Sequence, residues 1–171
     1  VDSDVGILRE RIQTRMNLEI GATNSMIAIA CRIKPDDVCL VPERREELTT
    51  EGGLNVAEGA SQLVKMTSQL KNEGIRVSMF IDPEESQIRA SRFVGADAVE
   101  IHTGAFADAT NPEQRTHEYQ RVIKAAALAA REDLRVNAGH GLHYSNVGDI
   151  ARIDQIMELN IGHSIISRAV F

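Results

Sequence analysis

The sequence predicts an α/β fold built on one parallel sheet, and three observations predict it. Short apolar runs alternate six times with helix-like segments of roughly 10 to 20 residues, the pattern of consecutive βα units. Helix-start and helix-stop residues stand where that alternation needs them. No change of composition marks a linker in the 171 residues, so one domain over 1–171 is expected.

The elements follow in order. "RMNLEI", residues 15–20, alternates apolar and polar and reads as the first strand. Thr23 or Asn24 then caps a helix through Met26, Ile27, Ile29, Ala30 and Ile33, which Lys34-Pro35 ends. "VCLVP", residues 38–42, is the second strand, and the long polar loop "ERREELTTEGGLN" follows it. Asn55 caps a helix through Leu63, Met66 and Leu70 that stops at Gly74. "IRVSMFID", residues 75–82, is the third strand. Asp82 as N-cap, Pro83 at the first helical position and the acids Glu84 and Glu85 then open a helix through Ile88 and Phe93 to Gly95.

"AVEIHTG", residues 98–104, is the fourth strand. Asn111-Pro112-Glu113 opens a helix with Tyr119, Val122, Ile123, Ala126, Ala127 and Ala130 on one face. "LRVNAG", residues 134–139, is the fifth strand, and Ser145 or Asn146 caps a short helix through Val147 and Ile150. "ELNIG", residues 158–162, is the sixth, and "HSIISRAVF" begins as a helix. Six such units suit a (β/α)8 barrel lacking two units, or a doubly wound sheet. No G-x-G-x-x-G follows a strand, which removes support for the dinucleotide-binding version.

The totals narrow the partners. A net charge of -6 argues against a nucleic-acid or anionic-membrane surface, though not against small anionic substrates, whose site has its own local field. No apolar run approaches the ~20 residues of a membrane-spanning helix, and no secretory signal pattern opens the chain. Cys31 and Cys39 lack metal-type spacing and read as buried free thiols in a reducing, cytoplasmic setting.

In a barrel the working groups stand at the C-terminal strand ends, and strand alternation selects which side chains share a face. Asn17 and Glu19, Glu100 and His102, Asn137, and Asn160 each alternate with apolar neighbours. Glu19 and Glu100 are carboxylates near strand ends. They are either acid/base groups or structural partners of a nearby cation. Gly141 follows the fifth strand, and Gly162-His163 closes the sixth just before a helix, where backbone N–H groups can cradle phosphate. His140, between two glycines, is a candidate proton carrier. His140, His143 and His163 could instead chelate a metal, but no helical H-x-x-x-H or Cys partner supports it. "LTTEGGLN" offers hydroxyls and glycines to a substrate, and its loop is a candidate lid.

Together, "TRMNLEI", "LVPERREELTTEGGLN", "VSMFIDPE", "VEIHTG", "VNAGHGLHYSNV" and "ELNIGHSIISRAVF" resemble the pyridoxine 5'-phosphate synthase family, collinearly and over essentially the whole sequence. The resemblance implies a (β/α)8 barrel in which these residues supply about strands 3–8. It implies condensation of 3-amino-2-oxopropyl phosphate with 1-deoxy-D-xylulose 5-phosphate to pyridoxine 5'-phosphate, phosphate and water. It also implies no cofactor or metal, and an octamer built from dimers. By motif, Glu19 of "MNLE" matches a proton acceptor, His140 of "AGHG" the proton donor, and Glu100 of "VEIH" the transition-state stabiliser. Gly141, Gly162 and His163 match the amino-ketone phosphate site, and Thr49 of "LTTEGG" a deoxyxylulose-phosphate contact.

The resemblance also implies an Asn-x-Asp-His strand and a His-x-Arg strand ahead of a helix like the one at "VDSDVGILRE", and nothing here matches either. The sequence is therefore expected to be part of a longer enzyme, without the first two βα units and the C-terminal helix, and inactive alone. Two other readings stay open: another phosphate-binding barrel, of thiamine-phosphate-synthase or sugar-phosphate-epimerase type, and a non-catalytic barrel fragment.

Overall fold

In a computed structural model, which describes residues 2–43 and 52–170, six strands form one parallel sheet in chain order. They are β1 (Asn17–Gly21), β2 (Asp37–Val41), β3 (Arg76–Ile81), β4 (Ala98–His102), β5 (Arg135–Gly139) and β6 (Ile156–Asn160). Between and around them run α1 (Asp2–Arg11), α2 (Asn24–Ile33), α3 (Val56–Asn72), α4 (Glu85–Phe93), α5 (Gly104–Ala107), α6 (Pro112–Arg131), α7 (Val147–Ile150) and α8 (His163–Ala169). A doubly wound sheet reverses its strand order at a switch point. Here the order β1-β2-β3-β4-β5-β6 never reverses, so the architecture is a partial (β/α)8 barrel.

Local chemistry sets the helix ends. Thr23 Oγ1 accepts the Met26 N–H at 3.3 Å and caps α2. Lys34, at φ 53°, closes it just before Pro35. Asn55 accepts the Glu58 N–H at 3.3 Å and donates to the Glu58 carboxylate at 2.8 Å, so α3 starts with both groups satisfied. Gly74, at φ 78°, turns the chain from α3 into β3. Asn111 caps α6 through the Gln114 N–H at 2.8 Å, with Pro112 in its first turn.

The outer face of the sheet is apolar. Val38, Leu40, Val77, Met79, Ile81, Val99, Ile101, Val136 and Ala138 are buried there against Ile27, Leu63, Met66, Leu70, Ile88 and Val122 of the helices. Each such side chain stabilises by roughly 1.5–3 kcal/mol relative to exposure. The inner face is polar, and the register aligns it. Glu19 lies beside Cys39, Cys39 beside Ser78, Phe80 beside Glu100, Glu100 beside Asn137, and His102 beside Gly139. Among the described residues no helix is long and apolar enough to cross a membrane.

The structure corrects several element boundaries. Glu84, not Asp82, occupies the N-cap of α4 and makes no side-chain cap bond, because the Asp82 carboxylate is committed to His102. β4 ends at His102, and the next residues form α5 instead of extending the strand. β6 begins two residues before the expected start, since Ile156 pairs with Val136. Phe93 is 74 % exposed, and Val94 is buried in its place. The buried face of α6 carries Ala125 and Ala129, while Ala130 is exposed.

Candidate active site

Glu100 sits on the inner face of β4 and is 6 % exposed. Burial pushes its carboxyl up from the ordinary 4.5 to about 7. The Asn160 hydrogen bond opposes this, Glu19 adds to it, the Cys39 thiol opposes it, and Glu158 adds again. The geometry matches that account: Asn160 Nδ2 donates to Glu100 Oε2 at 2.5 Å, and the Cys39 thiol donates to the same oxygen at 3.7 Å. Burial likewise pushes the Cys39 thiol well up, with Glu100 and Glu19 adding their charge. A carboxyl near 7 is half ionised at neutral pH, so it can hold or release a proton in a reaction. Glu19, one strand from Cys39 and exposed, reaches the same face from β1.

The second part of the site lies at the C-terminal ends of β4 and β5. His140 leaves β5 at φ 78° and Gly141 follows at φ 72°. The left-handed region costs a non-glycine residue about 1–3 kcal/mol unless its surroundings impose it. Here they do. The buried Thr103 hydroxyl, just past β4, lies 2.7 Å from the carbonyl oxygens of both Gly139 and His140. The Asn146 side chain donates to the Gly141 carbonyl at 3.1 Å and accepts the His143 N–H at 2.7 Å. His140 therefore stands on a braced turn. Its ring centroid lies 4.8 Å from that of His102 and 6.4 Å from that of Phe80. A cavity of ≈ 240 Å³ opens here, lined by Asp82, His102, Gly104, Asp108, Arg121 and His140 among others.

The glycines differ in what they permit. A Cβ on Gly139 would collide with the Glu100 carboxylate and come within 2.9 Å of the Asn160 carbonyl. On Gly141 it would meet the Ala107 side chain at 2.7 Å. On Gly162 it would meet nothing within 4 Å. Close packing thus explains Gly139 and Gly141 and does not explain Gly162. β5 and β6 are paired, so the two Gly-His segments do end side by side, and the Ser164 hydroxyl ties the start of α8 to the Leu142 carbonyl at 3.2 Å. His163 and Gly162 are exposed there. Thr49 lies outside the described residues. Among those described, no group of three or more His, Cys, Asp or Glu side chains is gathered as for a metal.

The alternation of side chains brought Glu19, Glu100, His102 and Asn160 to one face, and Glu100 and Asn160 make direct contact. Sequence reasoning missed two members. Cys39 read only as a buried thiol, yet it also touches Glu100. Asp82 read as a helix cap, yet it pairs with His102 at 3.2 Å. For Cys39 a signal existed: it occupies an inner-face position of a strand whose neighbours Val38 and Leu40 face outward.

The family model for "Pyridoxal phosphate biosynthesis protein PdxJ" matches residues 1–171. The pyridoxine 5'-phosphate synthase of Alcanivorax borkumensis is 56 % identical over 168 residues, covering 98 % of this chain and 69 % of that protein. That of Synechococcus sp. is also 56 % identical, over 169 residues, covering 99 % and 71 %. Among solved structures, a xylose isomerase domain protein from Planctomyces limnophilus superposes with a TM-score of 0.51 at 10 % identity, over 88 % of this chain and 64 % of that one. At that identity the likeness speaks for the barrel fold alone. With a family model spanning all of its length and relatives identical at more than half of the aligned positions, the chain belongs to the PdxJ family.

Proposed function

We propose that this chain carries the acid/base centre of a pyridoxine 5'-phosphate synthase. It condenses 3-amino-2-oxopropyl phosphate with 1-deoxy-D-xylulose 5-phosphate to pyridoxine 5'-phosphate, inorganic phosphate and water. The observation that carries the reading is Glu100, a buried carboxyl raised to about 7 on the same lumenal face as Glu19. Ring closure by successive dehydrations needs groups that take and give protons near neutral pH. In this reading Glu19 accepts a proton, His140 donates one to the departing hydroxyl, and Glu100 stabilises the charge that develops between them. Gly141, Gly162 and His163 hold the amino-ketone phosphate, and Thr49 contacts the other phosphate. The phosphate assignment rests on the motif match and on the pairing of β5 with β6, which sets those segments side by side.

The same proposal covers the domain and its assembly. This chain supplies six βα units of one barrel, and the first two units and the final helix come from residues outside it. β1 and β6 are the two edges of the sheet, and the relatives named above are longer by about a third of their length. An intact mass well above 18.8 kDa is expected for the protein as purified, and a mass at that value rejects this part. The active form is a cytoplasmic homo-octamer, which light scattering checks.

The central test supplies both phosphorylated substrates to the intact enzyme and follows pyridoxine 5'-phosphate. Formation in the wild type, with loss in Glu19→Gln and His140→Gln, is expected. No product from the wild type rejects the reading, and full turnover by Glu19→Gln removes that residue from its role.

A further inference from the structure

His102 is not among the residues that the motif match assigns, yet it stands at the centre of the cavity wall. Its side chain is 6 % exposed. Nδ1 faces Asp82 Oδ1 at 3.2 Å. Asp82 arrives from the loop after β3, and its carboxyl is held below the usual carboxylate range by the His102 hydrogen bond first and the Gly53 N–H as well. An ionised carboxylate has only lone pairs to offer, so the His102 hydrogen belongs on Nδ1. The hydrogen on Nδ1 is therefore assigned, and Nε2 is left buried without a hydrogen-bond partner among the described residues.

The neighbour on its other side is His140, ring centroids 4.8 Å apart and planes tilted by 40°. The backbone is shaped to allow that approach. A Cβ at Gly104 would come within 2.8 Å of His102 Nε2 and 3.1 Å of His140 Cδ2. Phe80 sets its edge against both rings, at 5.0 and 6.4 Å. Thr103, the residue after His102, grips the His140 carbonyl. Two imidazoles are thus packed together, and the Asp82 carboxylate stands against His102. A buried orphan nitrogen of this kind needs a reason.

We propose that the Asp82–His102 pair is a positioning device for His140. To the imidazole that must carry a proton, the pair presents a ring whose orientation the Asp82 carboxylate sets. It favours the protonated form of His140 and fixes the direction of its ring, and it does not touch the substrate. This inference rests on the reading of His140 as the proton donor. Among the described residues, the other charged or titratable groups lining the cavity are Glu84, Asp108 and Arg121. Arg121 is held by Glu118 at 2.7 Å and Glu84 at 3.5 Å, so its charge is partly matched.

The test uses the intact enzyme with both substrates and three variants. His102→Leu keeps volume and removes the lone pair, His102→Gln keeps an acceptor at the end of the side chain, and Asp82→Asn removes the charge. A fall in kcat of about tenfold to a hundredfold is expected for His102→Leu and Asp82→Asn, with KM within about twofold, a fraction of what a general acid contributes. His102→Gln should recover most of the loss. A second readout does not depend on turnover: nitrogen NMR of the histidine rings should find one ring whose Nδ1 hydrogen is bonded to a carboxylate, and that signature should vanish in Asp82→Asn. Absence of that ring signature in the wild type, or equal kcat for the Leu and Gln variants, or wild-type kcat in His102→Leu, overturns the inference and leaves the reaction assignment standing. A wild type that makes no product overturns both.

Discussion

Glu100→Gln should stabilise the intact enzyme at pH 8 while abolishing turnover. The rise of the Glu100 carboxyl from 4.5 to about 7 means that folding disfavours its ionised form. Below the unfolded value both states are protonated and nothing is lost. As pH rises from 4.5 to about 7 the unfolded chain releases its proton while the folded chain keeps it, so stability falls across that window and then levels off. At 1.36 kcal/mol per pH unit the full loss is about 3 kcal/mol, of which about 1 kcal/mol is already present at pH 5. Glutamine never ionises, and its amide oxygen still accepts the Asn160 hydrogen bond. The stability of Glu100→Gln relative to wild type should therefore grow by about 2 kcal/mol between pH 5 and pH 8. Urea unfolding at the two pH values, read by far-UV circular dichroism, measures it. A difference that does not change with pH, or that falls as pH rises, refutes the account of Glu100 as a carboxyl stranded by burial.

Three further outcomes are expected. Asn160→Ala removes the hydrogen bond that favours ionised Glu100, so the Glu100 limb of the pH–rate profile should move upward from about 7, and a downward move rejects that role. Thr103→Val leaves the His140 carbonyl without its hydroxyl donor, while the Gly139 carbonyl keeps the Thr103 N–H, and should cost about 1–3 kcal/mol in chemical denaturation, with kcat falling more than KM changes because His140 loses its brace. Gly139→Ala drives a Cβ into Glu100 and should destabilise by about 1–3 kcal/mol, whereas Gly162→Ala meets nothing and should stay within about 0.5 kcal/mol, as thermal unfolding of the pair will show.

The fold and half of the site were legible because both obey short periods. Alternation along β4 and β6 places Glu100 and Asn160 on one face, whatever their distance apart in sequence. N-caps at Thr23, Asn55 and Asn111 are local chemistry and appear where their residue types do. Periodicity alone leaves the barrel and the doubly wound sheet both open, because strand order depends on the sense of every crossover and not on any one segment; the family resemblance implies the barrel, and the strand order bears it out. Asp82 marks the same boundary. Asp-Pro-Glu-Glu is a strong local helix-start signal, and it was overridden by a contact with His102, twenty residues away, that no local pattern encodes. Phe93 shows another limit: it falls within the expected helix, but helical spacing alone does not reveal that the register of α4 turns it to the outside while Val94 is buried.

Glu100 and the His102 pair solve opposite versions of one problem. Each is a titratable group removed from water on the lumenal face of β4, two residues apart. Glu100 receives neutral partners, the Asn160 amide and the Cys39 thiol, and a like charge from Glu19, so burial wins and its proton is held to about 7. His102 receives a full carboxylate at Nδ1 and nothing at Nε2, so its hydrogen is assigned and its second nitrogen stays open. A single strand thus carries a carboxyl poised to exchange a proton and an imidazole arranged to keep its own. Exchanging the two residues would set a second carboxyl against the Asp82 carboxylate, where like charges oppose ionisation, and would put an imidazole against the Asn160 amide. The order of polar residues along β4 is therefore chemical, and its apolar alternation with Val99 and Ile101 serves the core on the other side.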